Sequence, residues 1–443
     1  MIPIPFAEVC LRAGVSCPPA LARAQVTGMS TDSRTLLAGD VFVAIQGDRF
    51  DGRKFVAEAL ERGALAAFSQ AGPNLPAETL RVADPYEVLA HIARAVRSRT
   101  QARVIAIAGS AGKTTCKEML AKLLAPLGPL VASKASFNNN IGVPATLACI
   151  ESGTRRVVAE IGTNHPGELA PLARLVRPHA VVVTSIGAEH LEGFGDLCGV
   201  LDEEMEAVRA LPPGGCAYVN FDSEPLRHVR FPSHVEVIRI GFREGADYRG
   251  QILDSPRGVG VRLPSGSTVE SSLAFDWQRS NLLLAATVAH LEGVSNNELI
   301  QAASALTPAP LRGEQRTIGT STVLVDCYNS NPLSAQASLA DLATRSGRKA
   351  AVLGEMRELG DASSAAHEEL GREARNCGIS DVIWVGRFAE DFARGYGRPV
   401  KAFATTSEAQ TSFSELLRSG GTVLIKASRG IALETLLECS THA

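Results

Sequence analysis

The sequence of 443 residues has little that would tie it to a membrane, a disulfide framework or a nucleic acid. No apolar run approaches the roughly 20 residues that span a bilayer. The opening MIPIPFAEVCLRAG lacks the basic start and small-residue cleavage site of a secretory signal, so a cytoplasmic protein without membrane contact is expected. Nine cysteines stand at 10, 17, 116, 149, 198, 216, 327, 377 and 439, an odd number with no CxxC pair. That pattern argues against a zinc site or a disulfide scaffold and suits a reducing compartment. A net charge of −3 offers no basic excess for phosphate backbones, so no nucleic-acid partner is expected. What remains is 45% hydrophobic and 21% charged residues, ordinary for a soluble globular protein, and a length that calls for two or three domains.

The order of apolar runs predicts an α/β fold in three domains. A small N-terminal α/β domain (1–97) carries TDSRTLLAGDVFVAIQGDRFDG in its middle. In a central domain (98–308), the run VIAIA at 104–108 leads through a glycine loop into a helical pattern. There Cys116, Met119, Leu120, Leu123 and Leu124 form one stripe. RRVVAEIG, GELAPLARLV, HAVVVTSI, a long helix near 196–209 and CAYVNF continue the alternation of a parallel-sheet, P-loop ATPase-like unit. After the Pro-rich TPAPLRG, a second alternating series from TVLVDC to TVLIKA predicts a C-terminal Rossmann-like domain (309–443).

The chemistry concentrates in GSAGKTT, residues 109–115. Gly109 and Gly112, with Ser110 and Ala111 between them, allow close backbone approach to phosphate at a helix N-terminus. Lys113 would neutralise the β- and γ-phosphates of ATP, and the hydroxyl of Thr114 or Thr115 would reach Mg²⁺. The loop is shorter than the common signature, which has four residues between its glycines. Glu160 ends the strand VVAEIG, and His190 lies just past HAVVVTSI, at the edge where parallel sheets place ligands. Either alone reads equally as a solvated side chain; two at one edge with a phosphate loop point to Mg²⁺. The Asn138–Asn140 run reads either as a turn and cap or as a polar site, the latter giving Asn138 and Asn139 as substrate contacts.

With these residues assembled, the chain resembles the Mur ligases, ATP-dependent enzymes that add amino acids in peptidoglycan synthesis. GSAGKTT is similar to that family's short loop, and SFNNNIGVP, AEIGTNHPGE and IGAEHLEGFG resemble successive family motifs in the same order. DCYNSNP (326–332), LGEMRELG with its downstream His367, and LIKASRG resemble the member that joins D-alanyl-D-alanine to UDP-N-acetylmuramoyl-tripeptide. The resemblance implies a monomeric ligase working through an acyl phosphate, with ATP and Mg²⁺. Lys113 would hold phosphates, Thr114 and Glu160 one Mg²⁺ and His190 a second. Asn281, Asp326, Tyr328, Asn329 and Asn331 would surround adenine and ribose. Lys426, Ser428 and Arg429 would meet the dipeptide or acyl phosphate, and Asp32, Ser33, Arg34 and Arg49 the uridine-nucleotide end. A related ligase with another acceptor, or a P-loop regulatory ATPase, stands as the alternative.

Three departures stand out. Glu204 occupies the position of a family lysine that becomes carbamylated and helps hold the second metal. Glu204 either takes over that acidic role or belongs to an acidic helix face with Asp202, Glu203 and Glu206. FDWQRSN replaces the family's G-x-H-N before the adenine-side asparagine, and Gly313-Glu314 replaces its G-R, with Arg312 and Arg316 as candidate substitutes.

Overall fold

The computed structural model describes residues 1–47, 50–255 and 258–438. Three mainly parallel sheets follow one another along the chain. The first has four parallel strands in sequence order, Gly28–Ser30, Asp40–Ala44, Ala66–Ser69 and Leu80–Arg81. Helix Pro85–Arg99 follows, started by Asp84, whose carboxylate accepts the Tyr86 N–H at 2.8 Å, and by Pro85 in the first helical position. Its Val88, Leu89, Ile92 and Val96 join one continuous core that runs from Phe68 of the first sheet to Val104 and Val181 of the second. The expected boundary at residue 97 therefore falls inside a helix that serves both sheets. There the buried Arg97 donates to the carbonyls of Val176 and Arg177, at 2.7 Å each, satisfying the end of helix Leu169–Val176.

The second sheet has seven parallel strands. Its central strands Arg103–Ala108, Arg156–Glu160 and Ala180–Val183, buried after the leading arginines of the first two, read as near-continuous apolar stretches because helices cover both faces. Arg103–Ala108 lies between Arg156–Glu160 on one side and Ala180–Val183 on the other. The chain first fills one side of it, edge strand Leu130–Ala132 before Arg156–Glu160, and then builds on the other, so the loop after Ala108 lies at the switch point where such sheets take ligands. Helices Lys113–Leu124 and Gln278–Leu291 pack together on one face. The helix expected over 196–209 is instead two, Leu197–Glu204 and Glu206–Arg209, separated at Met205. An antiparallel sheet of Gln251–Ser255, Gly258–Arg262 and Thr268–Ser271 was not expected; its short strands carry small and polar residues in place of an apolar run.

The third sheet has order Glu314–Ile318, Ser321–Val325, Gly421–Lys426, Lys349–Gly354, Asp381–Val385, Lys401–Phe403, with only the first strand antiparallel. The loops after Val325, Lys426 and Gly354 thus emerge side by side, facing the second sheet's phosphate loop. Among the described residues, no helix is long and apolar enough to cross a membrane.

Candidate active site

The loop 109–112 is held from beneath by the next strand. Ser110 N–H donates to Ser185 O at 2.6 Å, and the hydroxyls of Thr184 and Ser185 donate to Ala111 O at 2.7 and 2.9 Å. Gly109 and Gly112 sit at φ +121° and +85°, and a Cβ would meet Thr184 Oγ1 at 2.5 Å or Asn281 Oδ1 at 2.6 Å. Both positions therefore require glycine. Gly112 hands over to helix Lys113–Leu124, whose first amides face the cleft.

Lys113 is tied down on both sides of its ammonium. Its ammonium donates to Gly109 O and lies 3.6 Å from Glu189 and 4.0 Å from Glu204. Burial alone would lower its pKa, but the surrounding carboxylates of Glu189, Glu204 and Glu160 outweigh burial and hold it above the usual lysine value. Burial pushes Glu189 up to about 7, with Lys113 pulling the other way and Glu204 adding to the rise. Glu204 is fully buried behind the loop, where Gly109 N–H donates to its Oε2 at 2.6 Å. Burial raises its carboxyl against the pull of Lys113 and Gly109.

The four acidic residues read as one possible helix face are thus divided. Asp202 and Glu206 pair outward with Arg209 at 2.5 Å each. Glu203 accepts the amides of Gly167 and Leu169 at 2.8 Å each. Glu204 turns to the loop.

Beside Lys113, the Thr114 hydroxyl donates to Glu160 Oε1 at 3.1 Å, and the Asn138 amide reaches the same atom at 3.0 Å. Glu160 is 1% exposed, and its Oε2 has no hydrogen-bond partner. Asn139 caps the turn, accepting the Ile141 and Gly142 amides. His190, left-handed at φ +48°, pairs through Nδ1 with Glu358 of the third sheet at 2.5 Å. Burial would lower the imidazole, but Glu358 outweighs it and holds it above its ordinary value.

Across the cleft, Lys426 is buried against Asp326 Oδ2 at 2.7 Å and donates to Asn329 O at 3.2 Å. Asp326 also accepts the Ser338 hydroxyl at 2.7 Å. Lys426, expected near the incoming substrate or acyl phosphate, lines the cleft, and its ammonium braces the loop that follows Val325. Asn331 and Ser334 form a reciprocal cap on helix Pro332–Thr344. The Tyr328 ring lies beneath the Arg312 guanidinium at 3.9 Å, with Arg429 at 5.8 Å. Arg312 also donates to Ser136 at 2.9 Å, joining the two walls. Of the two candidate substitutes for the family's arginine, Arg312 lines the cleft, whereas Arg316 pairs with Glu314 on the edge strand at 2.7 Å.

These walls enclose a cleft of about 850 Å³. Ser110, Ala111, Gly112, Lys113, Thr114, Thr115, Asn138, Asn139, Glu160, His190, Asn281, Asp326, Tyr328, Asn329, Asn331, Lys426, Ser428 and Arg429 all line it. Gly109 and Glu204 lie behind it. Sequence reasoning missed Glu189, Ser136 and Trp277, which line it too; Glu189 directly precedes His190 in a motif already singled out, and that adjacency was the available signal.

Asp32, Ser33 and Arg34 lie apart from this cleft, past the end of Gly28–Ser30. Arg34 folds back on Asp32 at 2.7 Å, and its hydrogen bonds hold the Asp32 carboxyl down to about 2. Arg49 falls outside the described residues. On the same sheet edge, Gln46, Gly47, Gln70, Pro85 and Tyr86 line a second cavity of about 390 Å³.

A phosphate loop of this length, backed by acidic side chains and faced by a second, mainly parallel α/β sheet, defines a phosphate-loop ligase architecture, and sequence comparisons agree. Residues 25–125, 107–289 and 312–429 match the Mur ligase family catalytic domain, the Mur ligase middle domain and the Mur ligase glutamate ligase domain. UDP-N-acetylmuramoyl-tripeptide–D-alanyl-D-alanine ligase of Escherichia coli (strain K12) is 32% identical over 92% of each chain. The crystal structure of MurF from Acinetobacter baumannii superposes with a TM-score of 0.88 at 29% identity, covering 100% of this chain and 99% of that one. MurF ligase from Thermotoga maritima, solved in complex with ADP, gives 0.81 at 27% identity over 93% and 96%. The chain belongs to the Mur ligase family. Relatives from Escherichia coli (strain K12), Bacillus subtilis (strain 168) and Synechocystis, each matched over 90% or more of its length, are UDP-N-acetylmuramoyl-tripeptide–D-alanyl-D-alanine ligases.

Proposed function

We infer that this protein joins D-alanyl-D-alanine to UDP-N-acetylmuramoyl-tripeptide, consuming ATP and releasing ADP and phosphate. The observation that carries this reading is the facing of GSAGKTT and the DCYNSNP and KASRG loops across one cleft, in a chain similar to such ligases along its whole length.

An amide forms from a carboxylate only if oxide is replaced by a better leaving group. ATP, a consumed substrate here, supplies one. A carboxylate oxygen of the muramyl tripeptide attacks the γ-phosphorus and ADP departs; the dipeptide amine then attacks the acyl carbon and phosphate departs. Anion meets anion in the first step, so positive charge must be placed there. Lys113 exchanges its contact with Gly109 O for phosphate oxygens. Glu160 and Thr114 fit Mg²⁺: a buried carboxylate with one unpartnered oxygen lies beside a hydroxyl. Bound there, Mg²⁺ would screen the phosphate charge. Among the described residues, no three His, Cys, Asp or Glu side chains converge to hold a metal alone; Glu160 and Thr114 would hold the ion together with phosphate oxygens.

Glu204 anchors Gly109 and serves as buried counter-charge to Lys113, a shorter reach than the metal-holding acid expected at this position. His190 becomes available to a second cation once Glu358 releases it. Ser428 and Arg429 offer the surface for the dipeptide, and Asn281 with Tyr328, Asn329 and Asn331 that for adenine and ribose. Asp32, Ser33, Arg34 and the neighbouring cavity on the first sheet receive the uridine end.

The test is phosphate release with ATP, Mg²⁺ and UDP-N-acetylmuramoyl-tripeptide, with and without D-alanyl-D-alanine, and mass spectrometry of the product. Release that needs both substrates and yields a UDP-linked pentapeptide supports the reading; release indifferent to the muramyl substrate contradicts it.

A further inference from the structure

Lys117 lies one helical turn behind Lys113 and takes no part in the chemistry above. It does not line the cleft and is 0% exposed. All three of its N–H donors are engaged, by Glu118 Oε1 at 2.5 Å, Ser133 O at 2.7 Å and Ala135 O at 2.8 Å. A buried ammonium is costly to place, and an apolar side chain of similar volume would often serve stability as well. Its acceptors show what the charge does. Two are carbonyls of the segment that leads to the metal-side carboxylate, and Ala135, which carries the second of them, holds φ +44°, a left-handed conformation that an alanine adopts only when its surroundings impose it.

Three side chains of this segment, Ser133, Ser136 and Asn138, reach Thr114 or Glu160. The Glu160 N–H donates to Ser133 Oγ at 3.0 Å. Ser136 Oγ lies 3.3 Å from Thr114 Oγ1 and receives Arg312 from the opposite wall. Asn138 donates to Glu160 Oε1, and its own carbonyl accepts Gly162 N–H at 2.9 Å. With Asn138 and Thr114 both on Oε1, the carboxylate is oriented with Oε2 left over.

We propose that Lys117 is a positioning residue: by pinning the carbonyls of Ser133 and Ala135 it fixes Ser136 and Asn138, which present the free oxygen of Glu160 to the cation. The inference rests on the reading of Thr114 and Glu160 as the Mg²⁺-holding pair. It assigns the metal's geometry to a side chain that never meets metal, nucleotide or peptide. Outer partners of this kind commonly tune metal affinity by 10–100-fold.

The experiment is calorimetric titration of the full chain with ADP, once with Mg²⁺ and once with a chelator, taking the ratio of the two affinities. Lys117→Met is expected to lower that ratio about tenfold while leaving chelator-bound affinity within about twofold, because the loop amides and Lys113 stay in place. Asn138→Ala, a change on the cleft surface, should give the same fall, and the double variant should add little to either. Should Lys117→Met not fold, Lys117→Gln, which keeps an amide donor, is expected to show an intermediate ratio. An unchanged ratio in whichever Lys117 variant folds, or equal weakening with and without metal, overturns the inference and leaves Lys117 a purely structural cation. A wild-type ratio of one would instead overturn the Mg²⁺ reading itself, and this inference with it.

Discussion

The two walls of the cleft use charge in opposite ways. On the second sheet's wall, demand is left open: Glu160 Oε2 and Glu204 Oε1 have no hydrogen-bond partner, and one ammonium, Lys113, faces two buried carboxylates. On the third sheet's wall, demand is met within the wall. Lys426 is closed on Asp326 and Glu355 on Arg357 and Arg387, and Arg429 pairs with Glu434, whose Oε2 is the oxygen this wall leaves without a partner. The difference teaches that a row of charged motif residues does not by itself mean a row of ligand contacts. Unsatisfied buried groups mark where a charged ligand completes the structure; satisfied pairs mark a frame that shapes loops.

The comparison can be broken most directly at Lys113. Lys113→Met removes the cation that meets the γ-phosphate, and phosphate release should fall about 100- to 1,000-fold, with folding measured by circular dichroism intact. The opposite wall should respond in stability. Lys426→Met leaves Asp326 buried without its partner, and denaturant unfolding should show a loss of about 3–5 kcal/mol. Replacing Asp326 by Leu in the same chain should recover much of that loss, as expected of a frame. If Lys426→Met instead left stability unchanged and abolished only turnover, the two walls would not differ as described.

A smaller effect sharpens the role of Glu204. Glu204→Gln keeps an acceptor for Gly109 N–H and drops the charge beside Lys113, so turnover at limiting Mg²⁺ should fall about tenfold with little change in stability. Full activity there would leave Glu204 as a loop anchor alone.

The smallest effect belongs to His367, buried in the third sheet's core. It accepts Met356 N–H at Nε2 (2.8 Å), donates from Nδ1 to Ser363 O (2.6 Å) and stacks on Phe388. Burial holds its pKa below the ordinary 6.5. Its contribution is therefore whole above pH 6.5 and is lost progressively as pH falls from 6.5 to the lower folded value, by at most about 1.4 kcal/mol per pH unit. His367→Gln, which takes up no proton, should flatten that acid slope in thermal melts.

Much of this was legible in the sequence, for a physical reason. Parallel strands buried on both faces are apolar runs, so VIAIA, VVAEIG and HAVVVTSI announce both the sheet and its ligand-bearing edge, and with it Lys113, Thr114, Glu160 and His190. What was not legible depends on contacts distant in the chain. Lys117 looks like any polar residue of an amphipathic helix until the 133–135 carbonyls close over it. Glu204 could be read as a solvated acid or as a site acid, and only the tertiary approach of Gly109 separates it from Asp202 and Glu206. Lys426 carries the right motif, but the bond to Asp326, a hundred residues away, decides what it does. The antiparallel strands of 251–271 have no apolar run to reveal them.

The central claim is that one wall activates a carboxylate with ATP while the other shapes the surface from which the amine arrives. Its most direct test is isotope transfer: UDP-N-acetylmuramoyl-tripeptide labelled with oxygen-18 in its terminal carboxylate, turned over with ATP and D-alanyl-D-alanine. The account predicts that the released phosphate carries an oxygen-18 atom from that carboxylate, as an acyl phosphate requires. Phosphate without label would mean that water, not the substrate, attacks ATP, and would contradict it.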